Sequence, residues 1–95
     1  MRDYEVLFIL PPQVEDEAQD AVIKRFSDVI MGGGGEVVNI DKWGKRRLAY
    51  EIKDLNEGIY VLMNYKAPKE TSQELDRLMK ISDDIVRHLI VLKGA

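Results

Sequence analysis

The order in which strand-like and helix-like hydrophobic patterns follow one another constrains the fold of this chain more than any other sequence feature. Residues 4–10 are rich in β-forming side chains and end at Pro11-Pro12, which predicts a strand. From Val14 to Ile30, apolar residues recur every three or four positions, as in an amphipathic helix. The same reasoning predicts four further elements: an extended segment over 36–53, a strand over 59–67, a helix with the stripe Leu75, Leu78 and Met79, and a strand over 85–92.

The predicted order is therefore β-α-β-β-α-β, in one domain over residues 1–95. Each βαβ half must cross over with a right-handed connection, which places both helices on the same face of the sheet. This predicts an α+β fold of the ferredoxin-like type, with a four-stranded antiparallel sheet. The predicted core lies between the sheet and the helices and contains Val6, Phe8, Val61, Met63, Tyr65, Val22, Phe26, Leu75 and Met79.

Local signals predict where these elements begin and end. The run Gly32–Gly35 is typical of a helix C-cap followed by a flexible link. Gly44 indicates a β-bulge that joins two pieces of the long extended segment. Residues 54–58 predict a turn, and the spacing of Thr71 and Glu74 is that of a capping box at the start of the second helix.

The face of the sheet that carries no helix is predicted to bind a protein. The first and third strands have apolar residues on both parities, so some apolar surface must stay uncovered. Exposed apolar patches usually mark interaction sites. The predicted partner-binding residues are Leu7, Ile9, Tyr60 and Leu62.

Composition limits the environment and the chemistry of this domain. The 95 residues include no cysteine, which excludes disulfides and thiolate metal sites and fits a reducing cytosol. The N-terminal residues have an acid on each side of Tyr4 and lack the features of a signal peptide. No apolar run reaches the length of a membrane span. We therefore expect a cytoplasmic protein.

No set of residues in the sequence indicates catalysis or metal binding. His88 is the single histidine, and a lone histidine is more often structural than ligating. The consecutive acids Glu15, Asp16 and Glu17 point in different directions on a helix and cannot converge on one cation. Gly32–Gly35 follows a helix and precedes a strand, the reverse of a phosphate-binding loop. The sequence predicts a protein that is not an enzyme and that has no cofactor, metal or small-molecule substrate.

The net charge of -3 is unevenly distributed along the chain. Four acids and no base lie between Glu15 and Asp20, whereas residues 42–53 hold five bases and one acid. One interpretation is that these bases guard an exposed strand edge against aggregation. The other is that they bind nucleic acid, because Trp43 and Tyr50 stand among them, arginine forks bind phosphate and aromatic rings stack on unpaired bases.

Several stretches of the sequence resemble one known family. Residues 43–52 read W-G-K-R-R-L-A-Y-E-I, which resembles the W-G-basic-R-x-L-A-Y-x-I signature of bacterial small-subunit ribosomal protein S6. The start, M-R-D-Y-E, is similar to that family's M-R-x-Y-E. The strand Tyr60–Met63, the pair Ala67-Pro68 and the stretch Asp83–Arg87 also match, so that the resemblance runs from Met1 to about Lys93.

The resemblance implies a ferredoxin-like structural protein that binds the central domain of small-subunit ribosomal RNA together with ribosomal protein S18. It also implies a set of RNA-facing bases, supported by tyrosines at two of the family's aromatic positions. These residues are Arg2, Arg46, Arg47, Lys53 and Arg87, with Tyr4 and Tyr50. The four-glycine run departs from the family pattern and predicts a more mobile loop after the first helix.

Two other classes of function remain open on the residues alone. Ferredoxin-like domains of this length also form dimeric ligand sensors and small oxygenases, which need an internal apolar pocket with converging polar groups. A protein–protein adaptor would use the exposed apolar strands without needing the bases. Binding that does not respond to salt would favour either alternative, and a steep salt dependence would favour RNA.

Overall fold

A computed structural model describes residues 1–52 and 55–94 of the chain. Its elements are β1 (Arg2–Leu10), α1 (Asp16–Gly32), β2 (Glu36–Ile52), β3 (Leu55–Ala67), α2 (Lys69–Ile81) and β4 (Arg87–Leu92). The predicted β-α-β-β-α-β order is confirmed. In this part of the chain, no helix has both the length and the apolar character that a membrane crossing requires.

The four strands form one sheet in the order β2-β3-β1-β4, and all three pairings are antiparallel. β1 is therefore a central strand, while β2 and β4 are the edges. This is the arrangement predicted for a ferredoxin-like fold, with both helices on one face.

The core lies between that face and the two helices, as predicted. Every residue of the predicted core is buried and belongs to one apolar cluster. The ring of Phe26 on α1 packs edge-on against Phe8 of β1, with 6.2 Å between ring centroids. Tyr4 stacks on Tyr65 at 5.3 Å, so these aromatic pairs tie β1 to α1 and to β3.

The hairpin between β2 and β3 is longer than predicted. β3 begins at Leu55, so a turn over 55–58 is wrong; Asp54 lies outside the described residues. Gly58 pairs with Arg46 inside the ladder. A side chain could not replace its hydrogen, because a Cβ at Gly58 would lie 2.4 Å from Cγ2 of Ile9. Gly58 is thus a close-approach position within a strand, and a glycine signal alone does not distinguish that from a turn.

The bulge predicted near Gly44 is confirmed. Lys42 pairs with Val61 and Gly44 pairs with Tyr60, which leaves Trp43 as the extra residue of β2. The backbone of Gly44 has φ 81°, a left-handed conformation that favours glycine.

The predicted start of the second helix is wrong. α2 begins at Lys69 rather than at a Thr71 cap. The Thr71 hydroxyl instead donates to the carbonyl oxygen of Gly33 at 2.7 Å, and the Glu74 carboxylate accepts from Arg77. Thr71 therefore holds the start of α2 against the end of α1, and a tertiary contact has replaced the local capping pattern.

The glycine run caps α1 as predicted. Gly34 has φ 87°, its N–H donates to Met31 O, and the N–H of Gly35 donates to Ile30 O at 2.9 Å. These two bonds are the pair that defines a Schellman cap. The last predicted boundary also moves, because β4 begins at Arg87 rather than at Ile85.

Candidate nucleic-acid interface

The β2 bulge positions an aromatic and arginine cluster on the helix-free face. Trp43 stacks on Tyr60 of β3, with ring centroids 6.1 Å apart and planes 9° apart. The guanidinium carbon of Arg46 lies 5.1 Å from the centre of the Trp43 ring. The Trp43 indole N–H donates to Asp41 at 3.1 Å. We call Trp43, Tyr60 and Arg46 the aromatic–arginine cluster.

A second arginine joins the same end of the sheet. The Arg87 guanidinium of β4 donates a hydrogen bond to the Tyr50 hydroxyl and lies 5.8 Å from the centre of that ring. Tyr50 is nonetheless 60% exposed. Arg87 and Tyr60 both pair with Ile9, from opposite sides of β1, so the Tyr50–Arg87 pair and the aromatic–arginine cluster flank one position of the central strand.

The end of β2 encloses a small cavity over this part of the sheet. The cavity measures about 210 Å³, and its lining includes Ile9, Leu48, Tyr50, Tyr60 and Arg87. His88 also lines the cavity; apart from it, Arg87 and the two tyrosine hydroxyls, the lining side chains are apolar. The cavity therefore belongs to the predicted interaction face.

The ion pairs of the protein divide its bases into two groups. Within residues 1–52 and 55–94, one group of bases has carboxylate partners: Lys24, Arg25, Lys42, Arg77, Lys80 and Lys93. The other group has no carboxylate within ion-pair distance among the side chains that the structure describes, which do not include that of Glu51: Arg2, Lys45, Arg46, Arg47, Lys66, Lys69 and Arg87. All four predicted RNA-facing arginines fall in the second group.

Lys42 differs from the other bases of the basic segment. Its ammonium pairs with Asp20 of α1, so one of the acids of the first helix neutralises it. The acidic and basic stretches of the sequence therefore meet in space at this point, and the bases of this segment without a described carboxylate partner begin at Lys45.

The structure does not bring every predicted RNA-facing residue together. Arg2 lies at the start of β1, seven residues from Ile9 along an extended strand, which is about 23 Å. Tyr4 is 7% exposed and stacks on Tyr65, so its ring is not available to stack on a base. Its side chain packs in the core beneath the start of β1. Lys53 lies outside the described residues.

The helix-free face is partly exposed, and the structure corrects one of its four predicted partner-binding residues. Leu7, Tyr60 and Leu62 are half-buried, as an interaction surface requires. The prediction that Ile9 is exposed is wrong, because its side chain is 7% exposed and lies beneath the long β2–β3 hairpin. Leu89 of β4, which pairs with Leu7, was not predicted and is 61% exposed. The alternating pattern of β4 carried that signal, since Leu89 and Val91 share a parity.

His88 has a structural partner. Its Nε2 lies 2.7 Å from a carboxylate oxygen of Asp76 on α2, and its side chain is 10% exposed. The hydrogen bond from His88 lowers the pKa of Asp76. Among the described residues, no three histidine, cysteine or carboxylate side chains lie close enough to hold a metal ion.

The fold and this surface define a small ferredoxin-like domain with arginines and aromatic rings displayed at one end of its sheet. Residues 3–92 match the profile of the family described as ribosomal protein S6. The chain belongs to that family.

Two relatives and one solved structure show how close the likeness is. The small ribosomal subunit protein bS6 of Carboxydothermus hydrogenoformans is 57% identical over 91 residues, which cover 96% of this chain and 95% of that protein. The protein of the same name from Desulforamulus reducens is 56% identical over 94 residues, 99% of each chain. The crystal structure of the 30S ribosomal protein S6 of Thermotoga maritima has a TM-score of 0.90 at 29% identity, covering 97% of this chain and 87% of that one.

Family membership settles the class of function. The ribosomal protein S6 family consists of structural ribosomal proteins of the cytoplasmic bacterial ribosome and not of enzymes. The predictions of family, fold, non-enzymatic function and location are therefore confirmed.

Proposed function

We propose that this chain binds the central domain of small-subunit ribosomal RNA together with ribosomal protein S18. The observation that carries the proposal is the position of Arg46, Arg47 and Arg87. All three are exposed and have no carboxylate partner in the described part of the chain. Six of the ten other Lys and Arg residues that the structure describes pair with a carboxylate, whereas these three arginines are available to phosphate.

The neighbouring rings make this surface suited to RNA rather than to a simple anion. Trp43 holds the Arg46 guanidinium over its ring, which restricts the side chain before any phosphate arrives. Tyr50 does the same for Arg87. A guanidinium that is already oriented loses less conformational freedom on binding. The exposed Tyr50 ring also offers a surface on which an unpaired base can stack.

The helix-free face supports the partner half of the proposal. Leu7, Leu62 and Leu89 occupy adjacent positions on β1, β3 and β4 and form a continuous apolar patch. A net charge of -3 opposes the approach of a polyanion. A basic protein on this patch would supply positive charge beside the arginines and extend the phosphate-facing surface.

Sedimentation with small ribosomal subunits tests the proposal. The chain should sediment with the subunits at low salt and be released at high salt, because phosphate contacts weaken as counterions compete. Lys24→Ala is a matched control, since Lys24 is an exposed base that pairs with Asp28 on the helical side. The combined variant Arg46→Ala/Arg87→Ala should be released at lower salt than both the wild type and this control. If the release of the chain from the subunits does not depend on salt, the adaptor interpretation is favoured and the proposal is refuted.

A further inference from the structure

A second surface with basic side chains extends from Arg2, at the start of β1, to His88 and Leu89, which also line the cavity beside Arg87. A groove of about 510 Å³ runs between α2 and the edge strand β4. Its lining includes Arg2, Tyr4, Lys69, Gln73, Asp76 and Lys80. We call it the α2–β4 groove.

The helix α2 separates its charges between two faces. The residues that line the groove recur at helical spacing, so Lys69, Gln73, Asp76 and Lys80 form one stripe. The acids Glu70 and Glu74 do not line the groove, and Glu74 is engaged by Arg77 at 2.7 Å. The groove face therefore carries the excess of positive charge.

The one acid in the groove is compensated. Asp76 accepts from His88 at 2.7 Å and lies 3.1 Å from the Lys80 ammonium. Arg2 and Lys69 have no carboxylate within ion-pair distance among the residues that the structure describes. Asp76 thus offsets the charge of Lys80, and Arg2 and Lys69 leave the groove with a net positive charge.

The spacing of the two lysines along α2 selects the kind of ligand. Lys69 and Lys80 are eleven residues apart on a helix, which corresponds to about 16 Å along its axis. That distance is too long for one phosphate or one carboxylate to bridge, whereas successive phosphates of a nucleic-acid strand can reach both lysines.

We propose that the α2–β4 groove is a second contact site for the phosphate backbone of RNA, with Arg2 and Lys69 among its contacts and Lys80 contributing about 16 Å farther along α2. The inference rests on the proposed function and extends it to a part of the surface that the basic segment does not include. It also gives Arg2 a set of neighbours, since Arg2 lies about 23 Å from the Arg87 end of the sheet. Tyr4, on the floor of the groove, supports it from the core.

The test measures RNA affinity against salt for single-charge variants. The probe is a fragment of small-subunit ribosomal RNA that contains the central domain, titrated with the full chain in the presence of ribosomal protein S18. Lys69→Gln and Lys80→Gln should each lower the slope of log affinity against log salt by about 0.7 to 0.9, the value for one lost phosphate contact. Lys24→Gln is the matched control, because Lys24 pairs with Asp28 four residues away just as Lys80 pairs with Asp76.

Three results would overturn the inference, and each has a different meaning. If Arg46→Ala lowers the slope while Lys69→Gln and Lys80→Gln leave it unchanged, the groove does not contact RNA phosphates, and the proposed function is unaffected. If the lysine variants weaken binding to ribosomal protein S18 without RNA, the groove belongs to the protein partner. If the wild type shows no salt-dependent RNA binding, the proposed function fails and the groove with it. Circular dichroism of each variant confirms that the fold is intact before any slope is compared.

Discussion

Replacing Arg46 with Ala removes the guanidinium that lies 5.1 Å from the centre of the Trp43 ring and has no carboxylate partner within the described residues. The backbone of β2 should be undisturbed, because Arg46 is exposed and its pairing with Gly58 uses main-chain atoms. The substitution therefore tests the contact with RNA rather than the stability of the fold.

The size of the effect follows from the charge that is lost. A charge-assisted hydrogen bond contributes about 1.5 to 3 kcal/mol, so the loss of one phosphate contact should weaken binding at least tenfold at low salt. The slope of log affinity against log salt should fall by about 0.7 to 0.9. When the salt is raised from 50 to 200 mM, the factor by which RNA affinity falls should be about three times smaller for the variant than for the wild type.

Fluorescence anisotropy with a labelled central-domain fragment, repeated at several salt concentrations, measures both quantities. Arg47→Ala should behave in the same way, and Lys24→Ala should match the wild type because Lys24 lies on α1, outside the basic segment. If Arg46→Ala and Arg47→Ala leave affinity and slope unchanged, the basic segment is an edge guard and its assignment to RNA is wrong.

Two further predictions concern the core. Phe26→Ala should lower the free energy of unfolding by about 3 to 5 kcal/mol in a urea titration, because the ring is 2% exposed and packs on Phe8; a loss below about 1 kcal/mol would contradict this packing. Burial raises the pKa of Tyr65 to about 12, although its hydrogen bond with Ser72 acts in the opposite direction. The protonated Tyr65 hydroxyl therefore makes its full contribution to the free energy of unfolding below pH 10, the ordinary tyrosine pKa. This contribution, about 3 kcal/mol in total, is lost as the pH rises toward 12. Tyr65→Phe should remove most of that alkaline loss of stability, and an unchanged pH dependence would show that another group is responsible.

The sequence predicts the elements and the core well because both depend on local periodicity. Val22 and Phe26 recur at helical spacing, and Phe8, Val61 and Met63 alternate on their strands, so the buried faces follow from one-dimensional pattern. The order of elements and the handedness of the crossovers then leave few ways to assemble them.

The features that the sequence does not predict depend on contacts between distant residues. Thr71 has the spacing of a cap but donates to Gly33, 38 residues away. Gly58 has the composition of a turn but lies inside a ladder against Ile9. The pairing of Tyr50 with Arg87 joins residues 37 apart, and no local pattern indicates it.

The candidate site was predicted in the same uneven way. Arg46, Arg47 and Arg87 were found from charge and family signature, and the structure shows that they lack internal partners in the described residues. The separation of Arg2 from the other arginines needed the strand register. The proposed contacts Lys69 and Lys80 are not evident from the sequence, because bases and acids are interspersed along α2 and only the packing of the helix shows which of them line the groove.

One set of titrations tests whether this chain and ribosomal protein S18 bind the RNA as a pair. The central-domain fragment is titrated with this chain alone, with ribosomal protein S18 alone and with both together. We expect weak, salt-sensitive binding by this chain alone and much tighter binding by the pair, because the proposed partner would cover the apolar patch around Leu7, Leu62 and Leu89 and add positive charge. Thermodynamic linkage then requires RNA to tighten the protein–protein contact by the same factor. Equal affinity of this chain for the RNA with and without ribosomal protein S18 would contradict binding of the RNA by the pair.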